Sequence, residues 1–544
     1  MINSRLSRRF GLSVLPFIVL STMLSRLLPQ VAAQQVSSDQ VYVDPTMWSG
    51  VLLLQSGLMA ADAELQQVDR ELLSAALSRN GRGVLLVTDP ATNAALDRAG
   101  DLADHESKVT RLSSAKWREL LDDADAVKNW GASAAIWIDT DRVGAAAILN
   151  LESAAHQRLV KCIEGVLAKG GFVRISGDLR WLGTDRVRNR TTLLANCSIQ
   201  QSSDDEAAED VAADAACVHL KLLDRMRCVL AKRQLVNLTK GQSLSVTLGA
   251  TEHYAAPLTQ SLKERQLIDW VQWQRALLER QQPIYPDTDR VKHVLAGGSL
   301  VIGGGGGMPE DVWKRFVDLA GGENARIVIL PTAVEDPSAE PGFEARVMKQ
   351  AGAEHIVMLP QIARDDVEEA AFLKELDRAT GVWFGGGRQW RFVDAYWGTA
   401  AWPQLLEVCK RGGVIGGSSA GATIQGDLLI RGAPSGNQIM IADGYRRGLG
   451  LLPGVAIDQH FAQRSRFKEL EICLAPYPSI CGVGIDEQTA LVVTGADRCE
   501  VVGVGSAWLY PSYEVSESNK ADSASRASLR QEFKSGSVFE FNAD

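Results

Sequence analysis

The sequence predicts an α/β fold in which a parallel, doubly wound sheet is covered by helices on both faces. Three observations support this prediction. Short apolar segments alternate with amphipathic ones through the C-terminal half, glycine clusters stand at the ends of the apolar segments, and the N-terminal half repeats the pattern. Because ligands of such sheets bind beyond the carboxyl ends of the strands, the glycine clusters mark the candidate site.

The alternation is clearest between residues 299 and 421. Each apolar segment is short enough for a buried strand, and segments of helical periodicity follow them. Strands are predicted at Ser299–Ile302, Arg326–Leu330, His355–Leu359, Gly381–Phe384 and from Val414, and helices at about Pro309–Ala320, Pro341–Gly352, Val367–Arg378 and Trp402–Lys410.

The length of 544 residues is too great for one ordinary core and favours two domains. Strand-like segments of the N-terminal half recur in the C-terminal half at offsets of about 241 to 249 residues, as a duplication would leave them. The alternative is a loose likeness between two unrelated α/β domains. We predict an N-terminal domain over 34–254, a linker over 255–295 with a helix from Leu258 to Gln282, a catalytic domain over 296–514 and a flexible polar tail over 515–544.

The first 33 residues have the pattern of a signal peptide. Arg5, Arg8 and Arg9 form a basic start, Gly11–Leu24 is apolar, and Val31–Ala33 offers small residues for cleavage. The apolar stretch is shorter than a bilayer-spanning helix requires. We therefore expect an exported protein, periplasmic or extracellular, that is cleaved near Ala33 and is not stably inserted in a membrane.

Composition narrows the classes of ligand. The net charge is −9, and residues 1–33 carry four arginines and no acidic residue, so the remainder is more acidic still. This balance argues against nucleic acid as a partner. The eight cysteines form no C-x-x-C pair, there is no H-E-x-x-H run, and the five-glycine run lacks the G-K-[ST] ending of a phosphate loop. Neither a metal nor another cofactor is predicted.

A run of small residues near position 419 has the spacing of a nucleophile elbow. Gly417-x-Ser419-x-Gly421 follows an apolar strand segment and precedes a helical one. Small neighbours let strand and helix approach closely, and the helix N-terminus supplies N–H groups for an oxyanion. The alternative is a flexible Gly/Ser loop, because so short a motif often arises by chance.

A nucleophilic serine requires a base and an acid that orients the base. Among the seven histidines, His460 alone lies among several polar groups, within Asp458–Arg466. The alternative for this segment is a solvated helix start. Glu487 is the candidate acid, and Asp443 is the second choice.

The N-terminal half lacks the same chemistry. Ser176-Gly177 lies where Ser418-Ser419 lies, so glycine replaces the candidate nucleophile. His219 and Lys240 stand near the positions expected for the base and the acid. We therefore predict a degenerate domain with a structural role.

Five ordered segments of the C-terminal half resemble the cyanophycinase and dipeptidase E family of serine peptidases. The resemblance spans about residues 290 to 500 and implies a sheet like that of class I glutamine amidotransferases. The segments are Gly303–Gly307, Gly385–Gln389, Gly416–Ala422, Asp458–Arg466 and Gly484–Ala490.

The resemblance assigns catalytic roles at matching positions. It implies that Ser419 is the nucleophile, that His460 is the general base and that Glu487 orients the base. The implied oxyanion hole combines the N–H group of Ala420 with that of Gly386 or Gly387.

The resemblance also implies a substrate pocket. Cyanophycin is a polyaspartate backbone with arginine on each side-chain carboxylate, so arginines suit its carboxylates, and carboxylate and amide groups suit its guanidinium groups. At one position the sequence departs from the pattern, because Glu469 stands where the family often has a third arginine. The implied pocket residues are Gln389, Asp458, Gln459, Arg464 and Arg466.

We predict an exported serine peptidase that hydrolyses cyanophycin or related β-aspartyl peptides through an acyl-enzyme on Ser419. The alternatives are an aspartyl dipeptidase of the dipeptidase E type and a non-catalytic peptide-binding protein. The order Ser, His, Glu argues against an ordinary α/β-hydrolase. A peptide substrate is the expected partner, and a homodimer is left open.

Overall fold

The computed structural model of the chain describes residues 48–56, 84–87, 109–112, 135–139, 153–168, 172–177, 179, 182, 194, 197–202, 217–223, 226–286, 289, 291–513 and 523–542. The signal peptide predicted over residues 1–33 lies outside these residues. Among the described helices, none has both the length and the apolar character needed to cross a membrane.

The N-terminal half contributes strands to two sheets, together with two described helices, α1 (Ser153–Ala168) and α2 (Trp270–Arg280). The strands are β1 (Trp48–Ser56), β2 (Val84–Val87), β3 (Val109–Leu112), β4 (Ala135–Asp139), β5 (Phe172–Gly177), β6 (Cys197–Ser202), β7 (Val218–Leu223), β8 (Arg227–Lys232), β9 (Gln234–Asn237), β10 (Leu244–Leu248), β11 (Leu258–Leu262) and β12 (Leu267–Asp269).

The C-terminal half also contributes strands to two sheets. These strands are β13 (Ser299–Gly303), β14 (Arg326–Leu330), β15 (His355–Met358), β16 (Gly381–Phe384), β17 (Val414–Ser418), β18 (Val455–Asp458), β19 (Cys481–Ile485), β20 (Thr489–Thr494), β21 (Arg498–Gly503), β22 (Ser506–Tyr510), β23 (Gln531–Lys534) and β24 (Val538–Glu540).

Helices of the C-terminal half follow the predicted alternation. A 3-10 turn, Gly322–Asn324, precedes β14. The α-helices are α3 (Glu310–Leu319), α4 (Phe343–Gln350), α5 (Arg364–Val367), α6 (Ala370–Arg378), α7 (Gln389–Tyr396), α8 (Ala401–Lys410), α9 (Ala420–Thr423), α10 (Phe467–Leu474) and α11 (Ser523–Leu529).

Strand β16 shows why the central strands are apolar throughout. Its side chains alternate between the two faces of the sheet, and all are buried. Trp383 packs against Trp313 and Phe316 of α3 on one face, with ring centroids 4.6 and 5.0 Å away. Phe384 packs against Phe392 of α7 on the other face, at 5.1 Å. Helices therefore cover both faces, and the α/β prediction is confirmed.

The large sheet of the C-terminal half is mixed, whereas the sequence predicted a parallel one. Its order is β15-β14-β16-β17-β13-β20-β21-β24. The first five strands pair in parallel, but β20, β21 and β24 are added through antiparallel pairs. A second sheet has the order β18-β19-β22-β23.

The two halves share this strand order. Their large sheets correspond strand by strand, because the N-terminal order is β3-β2-β4-β5-β1-β8-β9-β12, and β6-β7-β10-β11 corresponds to the second sheet. In both halves one strand begins its pairing with both of its neighbours at a single residue, which is Phe172 in β5 and Val414 in β17. Counting from these two residues places Gly177 level with Ser419.

The strand order shows that the predicted counterparts of His460 and Glu487 in the N-terminal half are wrong. His219 lies within β7, which corresponds to β19, whereas His460 follows β18. Lys240 follows β9, whereas Glu487 lies between β19 and β20. A constant offset fails here because fewer residues separate β5 from β6 than separate β17 from β18.

The first part of the predicted linker helix is also wrong. Strands β11 and β12 pair with β10 and β9, so these residues complete the N-terminal sheets. Leu262 and Ile268, which lie within the range predicted as helix, are buried strand residues. The helix begins at Trp270, where the Asp269 side chain accepts the Gln272 N–H group at 2.8 Å and caps the helix.

The predicted flexible tail is ordered over residues 523–542. Strand β23 pairs with β22, and β24 pairs with β21. Phe533 stacks on Phe539 with ring centroids 3.8 Å apart. In α11 the buried Arg526 guanidinium donates to the Pro511 carbonyl at 2.9 Å. Paired strands and a buried cation thus replace the predicted polar tail over this range.

Candidate active site

The five glycines Gly303–Gly307, the first of which ends β13, connect three distant segments of the chain. The carbonyl oxygens of the first three accept, in order, the N–H groups of Ser419, His460 and Gln488, at 3.0, 2.8 and 2.7 Å. One loop therefore fixes the backbone of the candidate nucleophile, of the candidate base and of the residue after the candidate acid.

Side chains in this loop would collide with the groups that it holds. At Gly305, with φ +100°, a Cβ atom would lie 2.7 Å from His460 Nε2. At Gly306, with φ +75°, it would lie 2.6 Å from Glu487 Cβ. Gly307, with φ +79°, has open space around the same position. Glycine is therefore required at 305 and 306, both because neighbouring atoms lie close and because the backbone there is left-handed.

A continuous hydrogen-bonded array joins three side chains. Ser419 Oγ lies 2.9 Å from His460 Nε2, and His460 Nδ1 lies 2.7 Å from Glu487 Oε1. With the imidazole neutral, Ser419 donates to Nε2 and Nδ1–H donates to the carboxylate. This is the geometry of a nucleophile, a base and an acid that orients the base.

Ser419 occupies the sharp turn that its neighbours predict. Strand β17 ends at Ser418, α9 begins at Ala420, and Ser419 between them has φ 57° and ψ −111°. A Cβ atom on Gly417 would lie 2.6 Å from the Gly421 carbonyl carbon, and one on Gly421 would lie 2.7 Å from that of Phe384. Small residues on both sides therefore allow the strained conformation that exposes Oγ.

Three N–H groups beside the serine are available to an oxyanion. Those of Ala420, Gly386 and Gly387 donate to no protein acceptor among the described residues. A Cβ atom on Gly386 would lie 3.7 Å from Ser419 Cβ, so this loop runs directly beside the nucleophile. Such donors can stabilise negative charge that develops on a carbonyl oxygen.

The ends of that loop are fixed to the preceding strand and its turn. Gly385 N–H donates to the Leu330 carbonyl at 3.0 Å, and Arg388 N–H donates to that of Ala333 at 2.9 Å. Gly387 has φ +146°, and a Cβ atom there would lie 2.5 Å from the same Ala333 oxygen. The donors are therefore held in place before any ligand binds.

The environment of His460 favours its neutral form. Burial lowers the pKa of this imidazole from its ordinary value of 6.5, the hydrogen bond to Glu487 raises it, and the guanidinium groups of Arg464 and Arg466 lower it. The net shift is downward. A neutral imidazole at pH 7 can accept the serine proton, as a general base must.

Glu487, and not Asp443, lies beside the base. Asp443 forms an ion pair with Arg446 instead, and its backbone carbonyl accepts from Gln272 at 3.2 Å. The neighbouring Asp486 is buried and binds backbone groups and an indole, so it fixes the surrounding loops. Its carboxylate accepts from Ala462 N–H at 3.0 Å, Ser506 N–H at 3.1 Å and Trp508 Nε1 at 3.0 Å.

Most of the predicted pocket residues lie beneath the surface of the site. Asp458 is fully buried between the guanidinium groups of Arg431, at 2.9 and 3.0 Å, and Arg466, at 2.8 Å. Gln459 Oε1 accepts from Arg466 at 2.7 Å, and Gln389 Nε2 donates to the Ile430 carbonyl at 3.0 Å. These side chains bind protein groups, which corrects the expectation that they face a substrate.

Arg464 is the exposed member of the predicted pocket. Its N–H group donates to the His460 carbonyl at 3.0 Å, which places it one turn beyond the base. Its charge lowers the pKa of that imidazole, so the guanidinium lies within electrostatic range of the reacting groups.

Sequence reasoning missed Arg431. Its backbone is left-handed, with φ 55°, and its buried guanidinium binds Asp458 through two nitrogens and also contacts Glu469. Asp458 lies 27 residues away in sequence, and no local pattern connects the two. The glutamate that departs from the family pattern is thus the partner of a buried arginine.

The chain is similar to known peptidases and cyanophycinases. Residues 295–501 match the model of peptidase family S51. A cyanophycinase from Geminocystis herdmanii (strain PCC 6308) is 30% identical over 235 residues, covering 42% of this chain and 86% of that relative. A cyanophycinase from Trichormus variabilis (strain ATCC 29413 / PCC 7937) is 32% identical over 231 residues, covering 41% and 76%. The crystal structure of a peptidase from an acI-B1 Actinobacterium is 22% identical, with a TM-score of 0.36, covering 46% of this chain and 98% of that one.

The glycine loop yields a direct test. Gly305→Ala should slow labelling of Ser419 by a fluorophosphonate by at least about 100-fold, because the new methyl group displaces the His460 ring. Gly307→Ala also places a side chain on a left-handed backbone but has no close neighbour, so its rate should stay within about threefold of wild type. Pseudo-first-order rates from intact-protein mass spectrometry measure both. Equal rates for the two variants would contradict the role given to this loop.

The pKa of His460 yields a second test. The labelling rate of Ser419 should fall as the pH drops through a midpoint below 6.5, because protonated imidazole cannot act as a base. Arg464→Gln removes a cation that lowers this pKa, so the midpoint should move to higher pH. The distant, exposed Lys410→Gln removes the same charge and should leave the midpoint unchanged. A midpoint unaffected by Arg464→Gln would show that this side chain does not act on the base.

Proposed function

The chain belongs to peptidase family S51, and from this premise we propose that its C-terminal half is a serine-type peptidase with Ser419 as the nucleophile. The single observation that carries the proposal is the array that joins Ser419 Oγ to His460 Nε2 and His460 Nδ1 to Glu487 Oε1. The strained turn of Ser419 and the donors beside it support the same chemistry.

In the first half of the reaction, Ser419 Oγ attacks the carbonyl carbon of the scissile bond while His460 Nε2 takes the hydroxyl proton. Glu487 stabilises the imidazolium that forms. The N–H groups of Ala420 and of Gly386 or Gly387 bind the oxygen of the tetrahedral intermediate. When the intermediate collapses, His460 returns the proton to the departing amine, which leaves an acyl-enzyme on Ser419.

In the second half, a water molecule attacks the acyl carbon and gives a proton to His460. Collapse of this intermediate releases the carboxylic acid, and the imidazolium returns the proton to Ser419 Oγ. A pKa of His460 below the ordinary value keeps the base in its active form at neutral pH for both steps.

The proposed substrates are cyanophycin and related β-aspartyl peptides. The named relatives are cyanophycinases, and their matched regions cover most of their own length. An exposed arginine near the base, Arg464, suits a substrate carboxylate. Glu469, whose side chain is 46% exposed, is paired with the buried Arg431 guanidinium, so its charge is matched within the protein.

Hydrolysis of cyanophycin tests this proposal. Wild type should release Asp-Arg dipeptides, and Ser419→Ala should lower kcat by at least about 10⁴-fold, because it removes the nucleophile. Ser418→Ala is the matched control and should keep activity within about tenfold. Chromatography of the soluble products measures both.

Other outcomes separate the alternatives. Cleavage of short aspartyl peptides but not of cyanophycin would favour a dipeptidase. Equal activity of Ser419→Ala and wild type would contradict a serine mechanism altogether.

We also infer that the N-terminal half is a degenerate copy of the C-terminal half. The identical strand order and directions support the duplication, and Gly177 at the level of Ser419 supports the loss of the nucleophile. A fluorophosphonate should therefore label the tryptic peptide that contains Ser419 and leave the one that contains Ser176 unmodified. A labelled Ser176 would contradict the inference.

We also propose that the protein is exported. The basic, apolar and small-residue segments of residues 1–33 support export with cleavage near Ala33. Protein recovered outside the cytoplasmic membrane should then begin at Gln34, and an intact Met1 there would contradict cleavage. A homodimer predicts twice the chain mass in sedimentation equilibrium.

A further inference from the structure

A buried ionic network joins the two halves of the chain at Asp394, near the C-terminal end of α7. Arg275 of α2 donates through Nε to Asp394 Oδ1 at 2.7 Å, and Arg233 contacts Asp394 Oδ2. Tyr445 Oη donates to Oδ1 at 2.8 Å. The Arg275 side chain is 2% exposed and that of Asp394 is 8% exposed, so the N-terminal half provides two cations to one buried carboxylate of the C-terminal half.

The same two arginines hold α7 at further points. Arg275 Nη2 donates to the Val393 carbonyl at 2.9 Å, and the Arg233 guanidinium lies 4.3 Å from the centre of the Trp390 ring. The contacts of the two arginines thus extend from the first turn of α7 to its last turn. Burial alone would raise the pKa of Asp394, but the two guanidinium groups outweigh it and hold the pKa below its usual range.

The N-terminal half fixes these arginines in turn. Arg233 Nε donates to Asp269 Oδ2 at 2.7 Å, and Asp269 is the capping residue of α2. Helix α2 is anchored by Trp270 and Leu277 in the core of the N-terminal half. Both guanidinium groups are therefore held by α2, a helix that packs in the core of the N-terminal half.

Helix α7 leads directly to the reacting groups. It begins at Gln389, immediately after Gly385–Arg388, the loop that runs beside Ser419. The N–H groups of Gly386 and Gly387 are the proposed oxyanion donors. Because only Arg388 separates the helix from Gly387, a displacement of α7 would strain the hydrogen bonds that fix this loop to Leu330 and Ala333 and would shift the two donors.

We propose that Arg275 and Arg233 are positioning residues for the oxyanion hole, and that the degenerate half serves the reaction by clamping α7. This inference rests on the proposed function. It assigns no contact with substrate to either arginine, because both act through Asp394 and the helix that carries it.

The chain offers a matched control one helical turn away. Glu279 also lies on α2 and also bridges the halves, but its carboxylate accepts from Gly444 N–H at 2.7 Å and Arg446 N–H at 3.2 Å. It is not hydrogen-bonded to α7. A variant at Glu279 therefore loosens the same interface without releasing the helix.

The experiment compares Arg275→Met with Glu279→Gln in the full chain. Arg275→Met should lower kcat for cyanophycin by at least about tenfold with KM within about threefold, because lost oxyanion donors act in the transition state. Its second-order rate of fluorophosphonate labelling should fall in parallel, while the final extent of labelling stays near one per chain and the acidic pH midpoint stays unchanged. Glu279→Gln should keep kcat within about twofold. Arg275→Lys, which keeps the cation, should restore part of the rate.

Several outcomes would overturn the inference. A reduced extent of labelling at an unchanged rate would indicate partial unfolding instead of misplaced donors. Equal losses in Arg275→Met and Glu279→Gln would indicate a general interface effect. If Arg275→Met does not fold, Arg233→Met provides the same measurement at the other oxygen of Asp394, and an unchanged kcat there would refute the role. If the wild type shows neither labelling nor hydrolysis, the proposed function is overturned, and the inference with it. If wild type and Arg275→Met are equally active, only the positioning role of the arginines is overturned.

Discussion

The glycine loop after β13 is the constraint on which the candidate site depends. The serine and histidine of the array are 41 residues apart in sequence, and the histidine and glutamate are 27 apart, so no local structure brings them together. Three successive carbonyl oxygens of the loop do so by binding the backbone of each segment. A peptide chain with Cβ atoms could not pass at this distance, because it would occupy the space of the imidazole and the carboxylate. Glycine thus brings the loop close enough for the backbone to serve as the template of the site.

Two clusters of buried charge lie on segments that carry the site. Asp458, two residues before the base, lies between two guanidinium groups, and Asp394, on the helix that follows the oxyanion loop, lies between two others. Such groups add little net stability, because removing them from water costs about as much as their attraction returns. Loss of one partner is costly, however, since it leaves a buried charge without compensation. The two clusters therefore fix the positions of the segments that carry Asp458 and Asp394. Because the cluster at Asp394 includes Arg233 and Arg275, it ties one of these segments to the N-terminal half.

Much of the central fold could be predicted from the sequence. Strands β13, β14, β16 and β17 are buried on both faces, so their apolar runs and terminal glycines are unambiguous. The strands at the edges of the sheets are harder to predict from the sequence. Residues 258–269 are mostly exposed, with Leu262 and Ile268 buried, so they lack the alternation typical of a strand. Residues 523–542 are polar because β23 and β24 lie at sheet edges. In the site, the spacing of glycines around Ser419 indicated the nucleophile, and the polar residues near His460 indicated the base. Arg431 and Arg275 could not be found, because each acts on a residue distant in sequence.

The central claim is that Ser419 is acylated during peptide hydrolysis. Rapid acid quenching during turnover of a β-aspartyl-arginine substrate, followed by peptide mapping by mass spectrometry, tests it most directly. The account predicts a mass increase equal to the acyl portion of the substrate on the tryptic peptide that contains Ser419, appearing before steady state and absent when His460 is replaced by alanine. Continued hydrolysis with no adduct, or an adduct on another residue, would contradict it.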